Sequence, residues 1–174
     1  MAWVWTWTGK QFHPLDPDPT TIDLRDIAHA LSLLCRFNGH CRTFYSVAEH
    51  SVRVSHILPP DLALAGLLHD AAEAYVSDLP RPIKQAIPEF SRHEDRLLGV
   101  ILQHFGLPPT LPDPVHRADD ALLATELRDL MGQPPAPIHG TAPLPDPITP
   151  VGPEAAKRAF LDRFEELAPH WQPG

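Results

Sequence analysis

The sequence predicts an all-α domain with a small β-hairpin at its N-terminus, on three observations. From Thr21 onward, successive segments repeat their apolar residues every three or four positions, the period of a helix with one buried face. Prolines and glycines, which start and stop helices, fall between those segments. Only the opening residues differ: Trp3, Trp5 and Trp7 alternate with Val4 and Thr6, the two-residue period of a strand.

That strand turns at Thr8-Gly9-Lys10 into a short partner, Gln11-Phe12-His13. Its aromatic face suits a lid over the helices or a contact with another subunit, ahead of a platform for a nucleobase. A loop rich in Pro and Asp follows to Thr20. Between Thr21 and Arg36, Leu24, Ile27, Ala28, Leu31 and Leu34 form a helical stripe, with His29 beside it as a packed or surface histidine. Arg36-Phe37-Asn38-Gly39 ends this helix, Gly39 suiting the left-handed conformation of a C-terminus.

Ser46-Val47-Ala48-Glu49 reads as a capping box, a serine that caps and a glutamate that reaches back. The helix it opens carries His50 and runs to Pro59-Pro60, where Asp61 caps the next. So short a link makes the two antiparallel neighbours. Glu89 to Phe105 is a further helix, turning Leu97, Leu98, Ile101, Leu102 and Phe105 inward and stopped by Gly106. Asp113 caps another, with Pro114 in its first position; it reaches Met131 and buries Val115, Ala118, Leu122, Leu123, Leu127 and Leu130. Residues 132–150 read as a proline-rich loop, and Pro153 to Leu167 as a last helix burying Ala156, Ala159, Phe160 and Phe164.

A length of 174 residues suits one domain, 1–174, with 1–20 as hairpin and loop. A net charge of −8 argues against nucleic acid as a partner, because phosphate-backbone binding needs a basic surface. It leaves room for a small anionic substrate held by a metal and a few local cations. No apolar run is long enough for a membrane span, and no basic-then-apolar leader opens the chain, so a cytoplasmic protein is expected. Cys35 and Cys41 then read as reduced thiols, their spacing being no zinc spacing. The exposed aromatics hint at a homo-oligomer.

The chemistry gathers in the apolar segment from Ala63 to Lys84. Within one expected helix it places His69 and Asp70, whose side chains diverge by about 100° yet can meet on one cation, and Glu73 on the same side. Ionisable groups in so apolar a setting are paired or bind a metal. Ser77 to Pro82 breaks the helix, and Lys84 brings a cation near the carboxylates. His50, one short link away, and Asp119 on a third helix complete the candidate ligands, with Asp120 as rival to Asp119. Two imidazoles and two carboxylates suit Mn, Fe, Co, Ni or Zn, one divalent ion in all. Such an ion acidifies a water and neutralises phosphoryl charge, and Glu73 is placed to position or deprotonate that water.

This pattern resembles the HD-domain phosphohydrolases, whose signature is a histidine, a later His-Asp pair and a distal aspartate on one metal. The likeness spans Arg36 to Leu130 and is closest to the 5′-deoxynucleotidases and to virus-encoded deoxynucleoside triphosphohydrolases. Three segments carry it: Val47-Ala48-Glu49-His50-Ser51, the run HDAAEAYVSDLPRPIK from His69 to Lys84, and Ala118-Asp119. The resemblance implies that His50, His69, Asp70 and Asp119 bind the metal and that Glu73 handles the attacking water. It implies that Asp78 holds the sugar or helps the leaving oxygen, that Lys84 lies near the phosphate, and that Arg36 and Phe37 contact phosphate and base. One departure is the interval of 19 between His50 and His69, shorter than in the bacterial enzymes, so the helices between are trimmed.

The function implied is cleavage of the 5′-O–Pα bond of a small deoxynucleotide, with triphosphate (dATP favoured) ahead of monophosphate, in the cytoplasm or that of a host. Arg42, Arg81, Lys84 and Arg92 are the cations available for further phosphates. A catalytically idle metal- and nucleotide-binding module is the alternative of another class. A plain helical bundle with unrelated histidines accounts poorly for the linked motifs. A two-metal cyclic-nucleotide phosphodiesterase would need more site histidines than His93 and His104 supply.

Overall fold

A computed structural model describes residues 3–132 and 141–171. The chain is mostly helical with one antiparallel hairpin, but the strands are shorter than the tryptophan alternation suggested. β1 (Val4–Trp5) pairs with β2 (Gln11–Phe12), Val4 opposite Phe12, and Gly9 takes φ +82° in the turn. A single helix over Thr21 to Arg36 is not what forms. Asp23 accepts a hydrogen bond from the Arg25 amide and caps α1 (Leu24–Leu33), which buries Ile27, Ala28 and Leu31. The chain then extends. Cys35 bridges to Ser46, the Arg36 amide donates to the Tyr45 carbonyl, and Arg36–Gly39 makes a separate 3-10 turn. Phe37 and Asn38 take φ +56° and +50° there, a left-handed conformation that costs non-glycine residues about 1 kcal/mol or more.

Phe12 fastens the hairpin: it is fully buried and stacks on Tyr75, centroids 3.8 Å apart. The buried Asp26 carboxylate of α1 accepts from Thr8 N at 2.6 Å and Thr8 Oγ1 at 2.8 Å. Trp7 stacks on His29 while Lys157 Nζ sits 3.8 Å from its ring centre, and Trp5 remains 63% exposed. The hairpin therefore caps α1 with one aromatic residue and shows another to solvent.

Ser46 Oγ accepts from the Glu49 amide and starts α2 (Val47–Ile57). The other half of the expected capping box is absent, since the Glu49 carboxylate turns instead to Arg53 and to the Val151 amide. Pro59, not Asp61, precedes α3 (Pro60–Leu68), with Pro60 supplying the preset φ of a first helical residue. α3 stops at Leu68, so the helix expected to carry His69 through Glu73 is broken. Ala71 and Glu73 donate to residues three back, Leu68 and Asp70, the tighter 3-10 pattern, before α4 (Glu73–Val76). Ser77, at φ +75°, turns the chain out, and a short α5 (Arg81–Ala86) carries Lys84.

α6 (Pro88–His104), α7 (Asp113–Leu130) and α8 (Pro153–Leu167) complete the domain. Asp113 lies inside α7, not before it, with Pro112 at the cap. α2 packs against α1, α3, α7 and α8 and is the shared inner helix. One apolar cluster joins Leu31, Val47, Leu67, Leu97, Ile101 and Phe160; a second joins Tyr45, Val54, Leu122, Leu130 and Ile148. Each large side chain so buried contributes roughly 1.5–3 kcal/mol. Leu123 and Leu127, expected in the core, are only half-buried. Of the proline-rich 132–150 stretch, residues 133–140 lie outside the described residues; residues 141–150 form no helix or strand, though Ile148 is buried. No helix among the described residues is long and apolar enough to cross a membrane.

Candidate metal centre and its cavity

Three segments meet beside α2. His50 projects from its first turn and is fully buried, His69 caps the C-terminal end of α3, and Asp119 projects from α7. A ligand atom from each lies within 4.8 Å of the other two. His50 Nε2 is 3.2 Å from His69 Nε2 and 3.1 Å from Asp119 Oδ1. Asp70 joins them through the break after α3: its Oδ2 is 3.1 Å from His69 Nε2 and 3.6 Å from His50 Nε2. The convergence of these two neighbours on one point, expected from the sequence, is met at the turn after α3. Asp120, the rival to Asp119, faces away and meets Arg81 at 3.6 Å, with its side chain 49% exposed.

Both imidazoles are set from behind. His69 Nδ1 lies 2.8 Å from the Gly66 carbonyl, and His50 Nδ1 lies 2.6 Å from Oε1 of Glu126, a fully buried carboxylate on α7. Glu126 was not singled out from the sequence, although it lies two helical turns after Asp119 and so on the same face. Its Oε2 accepts from Arg36 Nε at 3.1 Å and Nη2 at 3.0 Å. Burial opposes the charge of Glu126, but Arg36 and His50 outweigh it and hold its pKa below the ordinary value. Burial and Arg36 push His50 down, yet Glu126 and Asp119 overcome them and hold its pKa up at about 10. Burial likewise opposes ionisation of Asp119, while His50 and His69 bring it down to about 2.

This donor set fits a divalent cation. Asp70, Asp119 and Glu126 set three carboxylates against the single Arg36 guanidinium. With neutral imidazoles two negative charges remain, the complement of one divalent ion. The raised pKa of His50 reports the same demand for positive charge.

The cluster opens on a cavity of about 660 Å³ whose wall includes Arg36, Phe37, Asp70, Glu73, Asp78, Arg81, Lys84, Asp119, Leu123 and Leu127. That position accounts for the half-burial of the two leucines. Glu73 is buried, its Oε1 held 3.2 Å from Lys84 Nζ and its Oε2 without a partner. Burial first, then Asp70 and Asp78, raise its pKa well above the usual carboxylate value. Burial also raises that of Asp78. Lys84 is shared with Glu94 at 2.7 Å, a residue of α6 that the sequence did not point to. Arg36 lies 5.4 Å from the Phe37 ring centre. Of the other cations expected near a phosphate chain, Arg42 bonds the Gly132 carbonyl and Arg92 pairs with Glu89, and neither lines the cavity.

The full length of the chain has relatives. An uncharacterized Escherichia coli protein, YfdR, is 38% identical over 172 residues, 97% of each chain. An uncharacterized Rhodobacter capsulatus protein, RCAP_rcc00048, is 34% identical over 187 residues, 95% of each. No family model matches the chain.

Proposed function

We propose that this chain, which belongs to the family of Escherichia coli YfdR, is a divalent-metal-dependent phosphohydrolase of the HD type that cleaves the 5′-O–Pα bond of deoxynucleotides. The observation that carries the reading is the convergence of His50 and His69 with Asp70 and Asp119, the two carboxylates lying in the wall of a cavity that Glu73, whose buried Oε2 has no hydrogen-bond partner, also lines. A divalent ion held by those four residues supplies Lewis acidity and neutralises charge on the phosphoryl group.

The chain's own residues do the rest. Glu73 Oε2 orients the attacking water and takes its proton, while Lys84 fixes Oε1. The water oxygen bonds to Pα as the bond to the 5′ oxygen breaks. Asp78, which burial keeps protonated to higher pH than an exposed carboxyl, returns a proton to the departing 5′ oxygen. Arg36 offers Nη1, which is not bonded to Glu126, to a phosphoryl oxygen, and the Phe37 ring offers a face to the base. The products are a deoxynucleoside with phosphate or with triphosphate.

The sequence resemblance favours the triphosphate, dATP first. One observation favours the monophosphate: the three cations in the cavity wall, Arg36, Arg81 and Lys84, each already face a carboxylate. Little free positive charge is left for a phosphate chain. The test is product analysis with every deoxynucleoside mono- and triphosphate in manganese, cobalt or zinc, with a chelator control. Free deoxynucleoside plus triphosphate supports the first substrate; phosphate from monophosphates alone supports the second. Tight nucleotide binding without turnover in any metal would replace the enzyme with a regulatory binding module.

A further inference from the structure

We infer that Glu126 is a positioning residue of the metal centre, fixing His50 with its Nδ1 protonated and its Nε2 free to ligate, while its second oxygen fixes Arg36 at the cavity wall. The inference rests on the metal reading above and extends it to a residue behind the ligands.

Glu126 has no exposed surface, and both its oxygens are used. A carboxylate so deeply buried is costly unless each lone-pair direction finds a donor. Here one oxygen faces an imidazole nitrogen at 2.6 Å and the other receives two guanidinium N–H groups. An Nδ1–H directed at Oε1 leaves the Nε2 lone pair pointing to His69, Asp70 and Asp119. The second imidazole has an equivalent arrangement with a neutral acceptor, since His69 Nδ1 meets the Gly66 carbonyl. His50 thus has a charged acceptor behind it and His69 a neutral one, and outer partners of this kind are worth roughly 10–100-fold in metal affinity. The same carboxylate therefore links a ligand of the ion to the arginine that faces the cavity.

The test titrates the purified full-length chain with cobalt(II) alone, by equilibrium dialysis and visible absorption, against Glu126→Gln. The variant is expected to bind cobalt roughly 10–100-fold more weakly. A glutamine cannot accept from both His50 and Arg36, so its amide N–H group would oppose one of them. The double variant Glu126→Gln with Arg36→Met removes that conflict, and its affinity is expected to stay low; recovery to the wild-type value overturns the inference. In the wild-type zinc-loaded chain, nitrogen-15 NMR of the His50 ring is expected to show a proton on Nδ1, a readout that loss of packing alone does not produce. A proton on Nε2, or equal cobalt affinity in wild type and Glu126→Gln, overturns the inference and leaves the metal centre standing. A wild-type chain that binds no divalent ion overturns both.

Discussion

Lys84 and Glu73 form an ion pair within the cavity, Nζ to Oε1 at 3.2 Å, and the same ammonium reaches Glu94 at 2.7 Å. The lysine thus serves the proposed base at least as much as a phosphate. It draws the Glu73 pKa down against the larger upward push of burial, Asp70 and Asp78. Lys84→Met removes that restraint, so Glu73 ionises only at higher pH. The acidic limb of the kcat profile should therefore move to higher pH. A raised KM with an unmoved limb would make Lys84 a phosphate ligand instead. Glu73→Gln, which keeps the shape, should lower kcat by about 100-fold or more and leave cobalt affinity within a few-fold of wild type.

Asp119 and Asp120 separate by direction. Asp119 meets His50 at 3.1 Å, whereas Asp120 faces Arg81 in solvent. Asp119→Asn should weaken cobalt binding by more than the roughly 10–100-fold of an outer-shell loss. Asp120→Asn should alter it little and shift stability by about 0.5 kcal/mol or less. Equal losses in both variants would reinstate Asp120 as a ligand.

Chelated protein should lose stability at both ends of the pH scale. His50 rises from an ordinary value of 6.5 to about 10 on folding, so its contribution is complete below pH 6.5 and disappears as pH rises through 10. Asp119 falls from 3.8 to about 2, so its contribution is present above 3.8 and disappears as pH falls through 2. Thermal unfolding in chelator should show a declining Tm on the alkaline side, roughly 2–4 °C for each kcal/mol lost at this length. Loading with zinc should flatten that decline and, near pH 8, release about one proton per ion, because the ligating imidazole must be neutral. Calorimetry in buffers of different ionisation enthalpy measures the proton count; no release would contradict a protonated His50.

The helices were legible because burial writes a period into the sequence. The stripes of α1, α6, α7 and α8 are filled largely by the expected apolar residues, with Leu123, Leu127 and Ala159 only half-buried, and Ser46 caps α2 as its position suggested. What escaped depends on distant partners. Glu126 carries no local mark, because its worth comes from His50 and Arg36, 76 and 90 residues away. Glu94 escaped for the same reason. The turn at Arg36–Gly39 is held by the Tyr45 carbonyl and the Cys35 bridge to Ser46, neither of which a helical repeat can announce. The break after Leu68 hides inside a continuous apolar run, since a 3-10 turn and an α-helix share the same residues over so short a span.

Gly66 sets the separation of the two histidines. A Cβ there would strike the Leu58 side chain and come within 3.4 Å of Ser55 Cα and Val54 Cγ1, all on or just beyond α2. The bare glycine therefore lets α3 lie close against α2, and its carbonyl also receives His69 Nδ1. Gly66→Ala should force the helices apart, costing about 1–3 kcal/mol as overpacking does, and should lengthen the 3.2 Å gap between the Nε2 atoms of His50 and His69. Cobalt affinity should then fall with Tm. Gly99→Ala is the comparison: its Cβ would meet the Pro109 carbonyl oxygen at 3.1 Å, in a part of α6 away from the ligands. It should lower Tm while leaving cobalt affinity unchanged. If Gly66→Ala behaves in the same way, the distance between α2 and α3 does not govern the metal centre.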